Sequence, residues 1–140
     1  MYLDGMARTM RRWNPNGKVG IMAEIMRDVR VRLLVQKWLG ALGVPDRNAD
    51  SVYQVLKDAG IKGKPLRASD CPIALYLNAQ FVALDLPYRV MVGDCFITVR
   101  ERTGDLPFFV DVLIPEFVRD FITAFDKHPG FAPELREVRV

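Results

Sequence analysis

The strongest constraint on the fold is an alternation of apolar and polar residues between positions 88 and 112. Successive side chains of a β-strand point to opposite faces, so this alternation is typical of strands with one buried face. Two turn signals, Gly93-Asp94 and Thr103-Gly104, divide the segment into three runs. The sequence therefore predicts a three-stranded antiparallel β-meander whose apolar side chains share one face.

The two turns also predict a register. A two-residue turn at Gly93-Asp94 pairs Val92 with Cys95 and Val90 with Ile97, which places the Cys95 thiol in the core. The third strand adds its own apolar residues to that face, namely Phe108, Val110 and Val112. The opposite face is mixed and consists of Arg89, Met91, Phe96, Thr98, Arg100, Phe109, Asp111 and Leu113. Its four large apolar side chains need partial cover.

Helical spacing of apolar residues accounts for most of the remaining chain. Helices are expected at about 2–13, 19–42, 48–59, 72–84 and 115–126. The turn signal Asn14-Pro15-Asn16-Gly17 separates the first two, and Glu134 to Val140 has the composition of a charged tail. In the third helix, Val52, Leu56 and Ala59 are expected to face inward.

These elements predict one α+β domain over residues 1–140, built in two layers. A basic N-terminal arm (1–18) and further helices precede the meander, and a C-terminal helix follows it. The expected core unit, helix-helix-meander-helix, spans residues 48–126. The C-terminal helix and the helix after Cys71 are expected to pack on the apolar face of the sheet.

Composition narrows the functional classes. No stretch approaches the ~18 uninterrupted apolar residues of a membrane span, and the N-terminus lacks the order of segments that marks a secretory signal. Two cysteines and a single histidine, His128, are too few for a disulfide framework or a zinc site. We therefore expect a cytoplasmic protein with reduced thiols, no metal and no cofactor.

Positive charge is concentrated at the N-terminus. Residues 1–40 hold eight Lys or Arg against three acids, whereas residues 41–140 hold twelve against fourteen. The candidate nucleic-acid or partner-binding residues of this arm are Arg8, Arg11, Arg12, Trp13 and Lys18. The same basic amphipathic pattern also suits a membrane surface, the groove of a partner protein, or packing onto the protein's own domain.

A second basic segment, Lys62, Lys64 and Arg67, directly precedes a predicted helix start. Loop amides, a helix dipole and three cations are a combination that can hold a phosphate or a carboxylate. The spacing does not fit a nucleotide P-loop. A solvated surface loop is the alternative interpretation, because runs of charge commonly face water only.

The helix start itself, Ser69-Asp70-Cys71-Pro72, carries a candidate reactive thiol. Free backbone N–H groups and the positive end of the helix dipole favour the thiolate form of Cys71. A nucleophilic cysteine needs a base, and an exchange centre needs a second thiol; the neighbouring sequence contains neither. Burial of Cys71 as a small apolar residue under the helix start is the alternative.

Several short motifs occur in order between Val52 and Leu135. They are Gly60-Ile61-Lys62-Gly63, Cys71-Pro72-Ile73-Ala74-Leu75-Tyr76-Leu77, the meander, and Ile114-Pro115-Glu116-Phe117. In these motifs the chain resembles small uncharacterised proteins of actinobacteria and their phages, in which a Gly-Ile-x-Gly segment precedes a Cys-Pro-aliphatic-Ala-x-Tyr-Leu helix. The resemblance excludes the basic N-terminal segment and implies no activity and no functional residue.

No catalytic motif for hydrolysis, metal-dependent proteolysis or dinucleotide binding occurs in the sequence. We therefore expect a small non-catalytic binding or accessory protein that acts on another macromolecule and is encoded by a phage or mobile element. A protein partner or a second copy is the expected ligand. A nucleic-acid-binding protein and a thiol-dependent enzyme or sensor remain the two alternatives.

Overall fold

The computed structural model describes residues 18–102 and 109–137. These residues contain four helices, α1 Lys18–Leu42, α2 Ala49–Asp58, α3 Pro72–Ala83 and α4 Glu116–Lys127. They also contain three strands, β1 Tyr88–Val92, β2 Phe96–Glu101 and β3 Phe109–Leu113, and a final 3-10 turn, Pro133–Leu135. The predicted α+β class is confirmed. The helix predicted at 2–13 lies outside the described residues.

Local sequence signals explain where α2 begins and ends. The Asn48 side chain accepts a hydrogen bond from the Ser51 N–H at 2.8 Å, which satisfies one free donor of the first turn. After the last turn, Gly60 adopts a φ of +71°, a conformation that glycine adopts without steric cost. Ala59 is exposed, contrary to the prediction, because it occupies the C-cap position beyond the last helical residue.

The sheet has the predicted order β1-β2-β3, and both pairings are antiparallel. Its register differs from the prediction by two residues, because Val92 pairs with Ile97 rather than with Cys95. Asp94 and Cys95 form the turn, which the Gly93 N–H closes by donating to the Phe96 carbonyl at 2.9 Å. A slip of two residues leaves the side chains that stay within the described strands on their predicted faces.

The corrected register changes the environment of Cys95. This residue was expected in the core opposite Val92, but it is exposed in the hairpin turn. The second pairing is shifted in the same way, since Ile97 rather than Cys95 lies opposite Val112. Turn geometry, rather than the apolar alternation, decides which residues leave the sheet.

The hydrophobic core lies on the inner face of the sheet. The inner-face residues Val90, Ile97, Val99, Val110 and Val112 are almost fully buried. Helix α3 packs against β1, the second half of α1 packs against β3, and α4 packs against α2. The sequence predicts α3 and α4 on this face; the structure places α3 and α1 against the strands, whereas α4 packs mainly against α2.

A run of aromatic rings crosses the core from α1 to the sheet. The ring centroids of Trp38 and Phe81 lie 4.8 Å apart, and those of Phe81 and Tyr88 lie 5.4 Å apart, both in edge-on geometry. Such edge-to-face pairs add about 0.5–1.5 kcal/mol each beyond area burial. The rings therefore connect α1, α3 and β1.

The segment after α4 is part of the fold and not only a charged tail. Leu135 is buried, and the Gly63 N–H donates to its carbonyl at 2.7 Å. The Arg136 guanidinium donates to the carbonyls of Phe125, His128 and Phe131. Carbonyls at a helix C-terminus lack intrahelical partners, so the contact with Phe125 satisfies a group that α4 leaves open, and the contacts with His128 and Phe131 fix the segment that follows.

Candidate functional site

The outer face of the sheet carries eight side chains in three rows across the strands. The first row is Arg89, Arg100 and Phe109; the second is Met91, Thr98 and Asp111; the third is Phe96 and Leu113. These are the residues that the alternation assigned to the mixed face. We call this surface the outer sheet face.

No described helix covers the apolar residues of this face. Met91, Phe96, Phe109 and Leu113 are between 37 and 64 % exposed. Single exposed apolar side chains are ordinary in soluble proteins, whereas several on one sheet face form a patch. Such patches are typical of interaction surfaces.

One end of the outer sheet face is cationic. Arg89 and Arg100 are directly opposite each other on β1 and β2, although like charges in that position repel. The Arg100 guanidinium lies 4.8 Å from the centroid of the Phe109 ring. Within the described residues, neither arginine forms an ion pair with a carboxylate. Both remain available to an anionic group of a ligand.

The only acidic residue of the face is already engaged. The Thr98 hydroxyl donates to the Asp111 carboxylate at 2.7 Å. The Arg32 side chain reaches the Asp111 carbonyl from α1 and also forms an ion pair with Asp28. The remaining charge on the face is therefore positive.

Both edge strands of the sheet are occupied by the protein's own groups. On β1, the Asn78 side chain accepts from the Val90 N–H at 2.8 Å, and the Ala68 carbonyl accepts from the Val92 N–H at 2.8 Å. On β3, the Arg32 guanidinium donates to the Asp111 carbonyl. Contacts of this kind oppose the addition of a foreign strand. The protein's own groups therefore block part of each edge, with two contacts described on β1 and one on β3.

The roles of Asn78 and Arg32 were not anticipated from the sequence. Asn78 is one of two strongly polar residues in the otherwise apolar α3, and that isolation is a usable signal for a hydrogen-bonding role within the fold. No sequence signal indicates Arg32, because its contact joins residues 79 positions apart.

The structure places the candidate anion-binding residues Lys62, Lys64 and Arg67 on the loop between α2 and α3. Lys64 pairs with Glu137 at 3.6 Å, and Lys62 and Arg67 are exposed. The loop N–H groups are already in use. Those of residues 63, 64 and 66 donate to Leu135, to Asp70 and to the Asp126 carboxylate, respectively. A carboxylate thus occupies the donor that an incoming anion would need.

The candidate thiol Cys71 is buried at the N-cap of α3. Its Sγ accepts from the Ala74 N–H at 3.5 Å, so the thiol rather than Asp70 caps the helix. Burial raises the pKa of Cys71 from its ordinary value of 9.0 to about 11, and the Asp126 carboxylate contributes in the same direction. Low-pKa reactive thiols require the opposite conditions. The environment suits a structural cap more than a nucleophile.

A shallow cavity of about 210 Å³ adjoins Cys71, and Arg67, Asp94 and Asp126 are among its lining residues. None of these residues is a histidine, the usual partner of a nucleophilic cysteine, and His128 lies exposed at the end of α4. The described residues contain no cluster of three or more potential metal ligands.

The arm residues Arg8, Arg11, Arg12 and Trp13 lie outside the described residues, and of Lys18 only the backbone position at the start of α1 is described. Their binding role therefore stays a prediction. Among the described helices, none has the length and apolar character needed to cross a membrane. Comparison with family models, with curated proteins and with solved structures found no match to this chain.

Proposed function

We propose that this protein is a non-catalytic binding protein that associates with another protein through the outer sheet face. The observation that carries the proposal is the exposure of Met91, Phe96, Phe109 and Leu113 on one face of a sheet whose other face is fully packed. Burial of a large apolar side chain contributes about 1.5–3 kcal/mol. Four such side chains provide an adequate anchor.

The charge of the face indicates the chemistry of the partner. Arg89 and Arg100 lie beside the Phe109 ring without a carboxylate partner in the described part of the chain. A partner segment that combines apolar anchors with Asp or Glu side chains complements this arrangement. Arginine and aromatic residues are the usual energetic centres of such interfaces.

The test compares two double variants of the full-length protein. Phe96→Ser with Phe109→Ser removes the two rings of the face, and Val82→Ser with Leu84→Ser removes two apolar side chains elsewhere. The control side chains are 59 and 52 % exposed, close to the 50 and 53 % of the two rings. Circular dichroism and thermal melts establish that both variants fold.

The readout is photo-crosslinking in the host cell from position 91, followed by identification of the adduct and measurement of its affinity. We expect the sheet-face variant to weaken the interaction by at least about tenfold, while the control variant retains it. Equal loss in both variants, or an adduct that forms equally from position 82, contradicts the proposal.

Nucleic acid is the second candidate partner, and one observation favours it. Exposed aromatic rings beside arginines are also what a base-stacking surface requires, and Arg89, Arg100 and Phe109 form such a row. This candidate predicts binding to single-stranded oligonucleotides that weakens steeply with salt. Arg8→Ala with Arg11→Ala and Arg12→Ala tests whether the N-terminal arm contributes.

A further inference from the structure

Helix α1 faces the residues around the start of β1 across an open groove. The groove has a volume of about 580 Å³, within the range of sites that hold small molecules. The shallow cavity beside Cys71 is smaller, at about 210 Å³. The lining extends along α1 from Ala23 to Leu34, which is about 16 Å of helix. We call this site the α1 groove.

The lining of the α1 groove is mainly apolar and graded in burial. Val31 and Tyr88 are buried and form the floor of the groove. Leu34 and Leu86 are half-buried and form its walls, while Met26 is 63 % exposed at the rim. A concave apolar lining with few polar groups is typical of sites for small ligands that have an apolar body and one polar end.

The polar groups of the groove are two arginines and a tyrosine hydroxyl. Arg27 forms an ion pair with Glu101 at 2.7 Å. Arg30 also lines the groove, and it forms no ion pair with a carboxylate of the described residues, 18–102 and 109–137. Burial raises the pKa of Tyr88, and the charges of Arg27 and Arg30 oppose that rise, so both guanidinium groups lie close enough to act on the same hydroxyl. The charge of Arg30 is therefore the one that a ligand of the groove meets.

We propose that the α1 groove binds a single-chain carboxylic acid of medium length, which is a fatty acid by chemical class. The alkyl chain lies against the apolar floor and walls, and its removal from water drives the binding. The Arg30 guanidinium pairs with the carboxylate at the rim, which distinguishes the acid from a neutral molecule of the same length. The groove shares no residue with the outer sheet face, so this proposal and the proposed function hold or fail separately.

The size of the groove favours an alkyl chain over a helix of a partner or of a second copy. A helix is about 10–12 Å wide with its side chains, so about 16 Å of helix occupies on the order of 1,300 Å³. This is more than twice the volume of the groove, whereas an extended alkyl chain fits inside it. A second copy packed on α1 also covers Ile21 and Ile25, which are exposed but do not line the groove.

The first test measures the affinity of the purified full-length protein for decanoate and for decanol by isothermal titration calorimetry, below the micellar concentration. Arg30→Gln removes the cation of the groove, and Lys37→Gln removes an exposed cation of α1 that does not line it. We expect Arg30→Gln to weaken decanoate binding about fivefold and to leave decanol binding unchanged, because only the acid pairs with the guanidinium. Lys37→Gln should change neither affinity. Equal effects of the two variants on decanoate, or no saturable binding of decanoate, overturn the proposal.

The second test fills the groove. Ala23→Trp places an indole ring in it, and Ala41→Trp adds the same ring at an exposed position of α1 outside it. We expect Ala23→Trp to weaken the binding of both ligands at least about tenfold, because the ring takes the place of the alkyl chain, while Ala41→Trp retains it. Circular dichroism establishes that both variants fold.

Two results of this second test contradict the proposal. Retained affinity for decanoate in Ala23→Trp shows that the chain does not lie in the groove. A dimer in analytical ultracentrifugation that Ala23→Trp dissociates, and that decanoate leaves intact, assigns the groove to a second copy.

Discussion

The two faces of the sheet are formed by the same three strands, but one is buried and the other is exposed. On the inner face, Ile97, Val99 and Val110 are fully buried under α1 and α3. On the outer face, Phe96 and Leu113 are at least half exposed, although they are larger and more apolar than several inner residues. Apolar character alone therefore does not decide burial, and the difference is made by which helices pack on the sheet.

Helix α1 repeats this contrast on a smaller scale. Val35 of this helix is fully buried against the core, while Met26 of the same helix is exposed. In both elements one apolar surface is packed in the core, and the apolar side chains of the other surface are exposed in the described part of the chain. The following predictions test that division, in order of decreasing expected effect.

Truncation on the inner face of the sheet is expected to cost the most. Ile97→Ala removes a fully buried side chain from the centre of β2, and the cavity adds to the lost burial. We expect the free energy of unfolding to fall by about 2–5 kcal/mol. Urea titration followed by circular dichroism measures this free energy. A loss smaller than that of Leu113→Ala on the outer sheet face contradicts the difference between the two faces.

The two thiols should differ in reactivity because one is buried and the other is exposed, as are the side chains on the two faces of the sheet. Cys95 is exposed in the hairpin turn, whereas Cys71 is buried with a pKa raised to about 11. At pH 8 we expect alkylation of Cys71 in the folded protein to be about a hundredfold slower than in urea, because its thiolate fraction falls by that factor. Cys95→Ser isolates the signal of Cys71. Equal alkylation rates in the folded protein and in urea would identify Cys71 as a reactive thiol.

The same pKa shift makes stability depend on alkaline pH. Because burial raises the pKa of Cys71 from 9.0 to about 11, the unfolded chain loses this proton first as the pH rises. The contribution of Cys71 to the free energy of unfolding is therefore complete below pH 9 and is lost progressively between pH 9 and 11. Cys71→Ser should remove this dependence, and an unchanged profile in that variant argues against Cys71 as its source.

A close backbone contact supports the start of α3. A Cβ added at Gly63 would lie 2.5 Å from the Asp70 carbonyl oxygen and 2.8 Å from the Pro72 nitrogen. Gly63→Ala should therefore lower the free energy of unfolding by about 1–3 kcal/mol. Gly40→Ala in α1 is the matched control, since no atom lies within 4 Å of its added Cβ. We expect Gly40→Ala to stabilise the protein slightly. Thermal melts in which Gly63→Ala is as stable as Gly40→Ala contradict the close contact at Gly63.

Truncation on the outer sheet face should have the smallest effect on stability. Leu113→Ala changes a side chain that is 64 % exposed, so we expect the free energy of unfolding to change by no more than about 0.5 kcal/mol. Affinity for the partner should fall in the same variant. A loss of stability comparable to that of Ile97→Ala would show that this face is part of the core.

The register of the sheet shows how far sequence reasoning reaches. Apolar alternation identified both faces of the described strands correctly, because a slip of two residues does not change the face of a side chain that stays in its strand. It did not locate the turn, and the position of Cys95 was wrong for that reason. Turn type depends on backbone dihedrals and a single closing hydrogen bond, here from Gly93 to Phe96.

Long-range contacts account for most of what the sequence did not predict. Arg136 donates to three carbonyls at the end of α4 and in the segment after it, and Arg32 donates to the Asp111 carbonyl at the edge of β3. Both residues resemble ordinary surface arginines in the sequence. The pattern of Gly63 before Cys71-Pro72 was visible in the sequence, but its cause, a backbone approach too close for a side chain, is a tertiary contact.

Sequence alone determined the class of fold, the limits of most helices and the two faces of each strand, because period, caps and turn residues act over a few positions. Tertiary structure alone decided which apolar surfaces are covered. Phe81 and Phe96 are equally apolar in the sequence, yet Phe81 is fully buried and Phe96 is half exposed. Burial depends on what packs opposite a side chain, and that is a property of the assembled chain rather than of any local pattern.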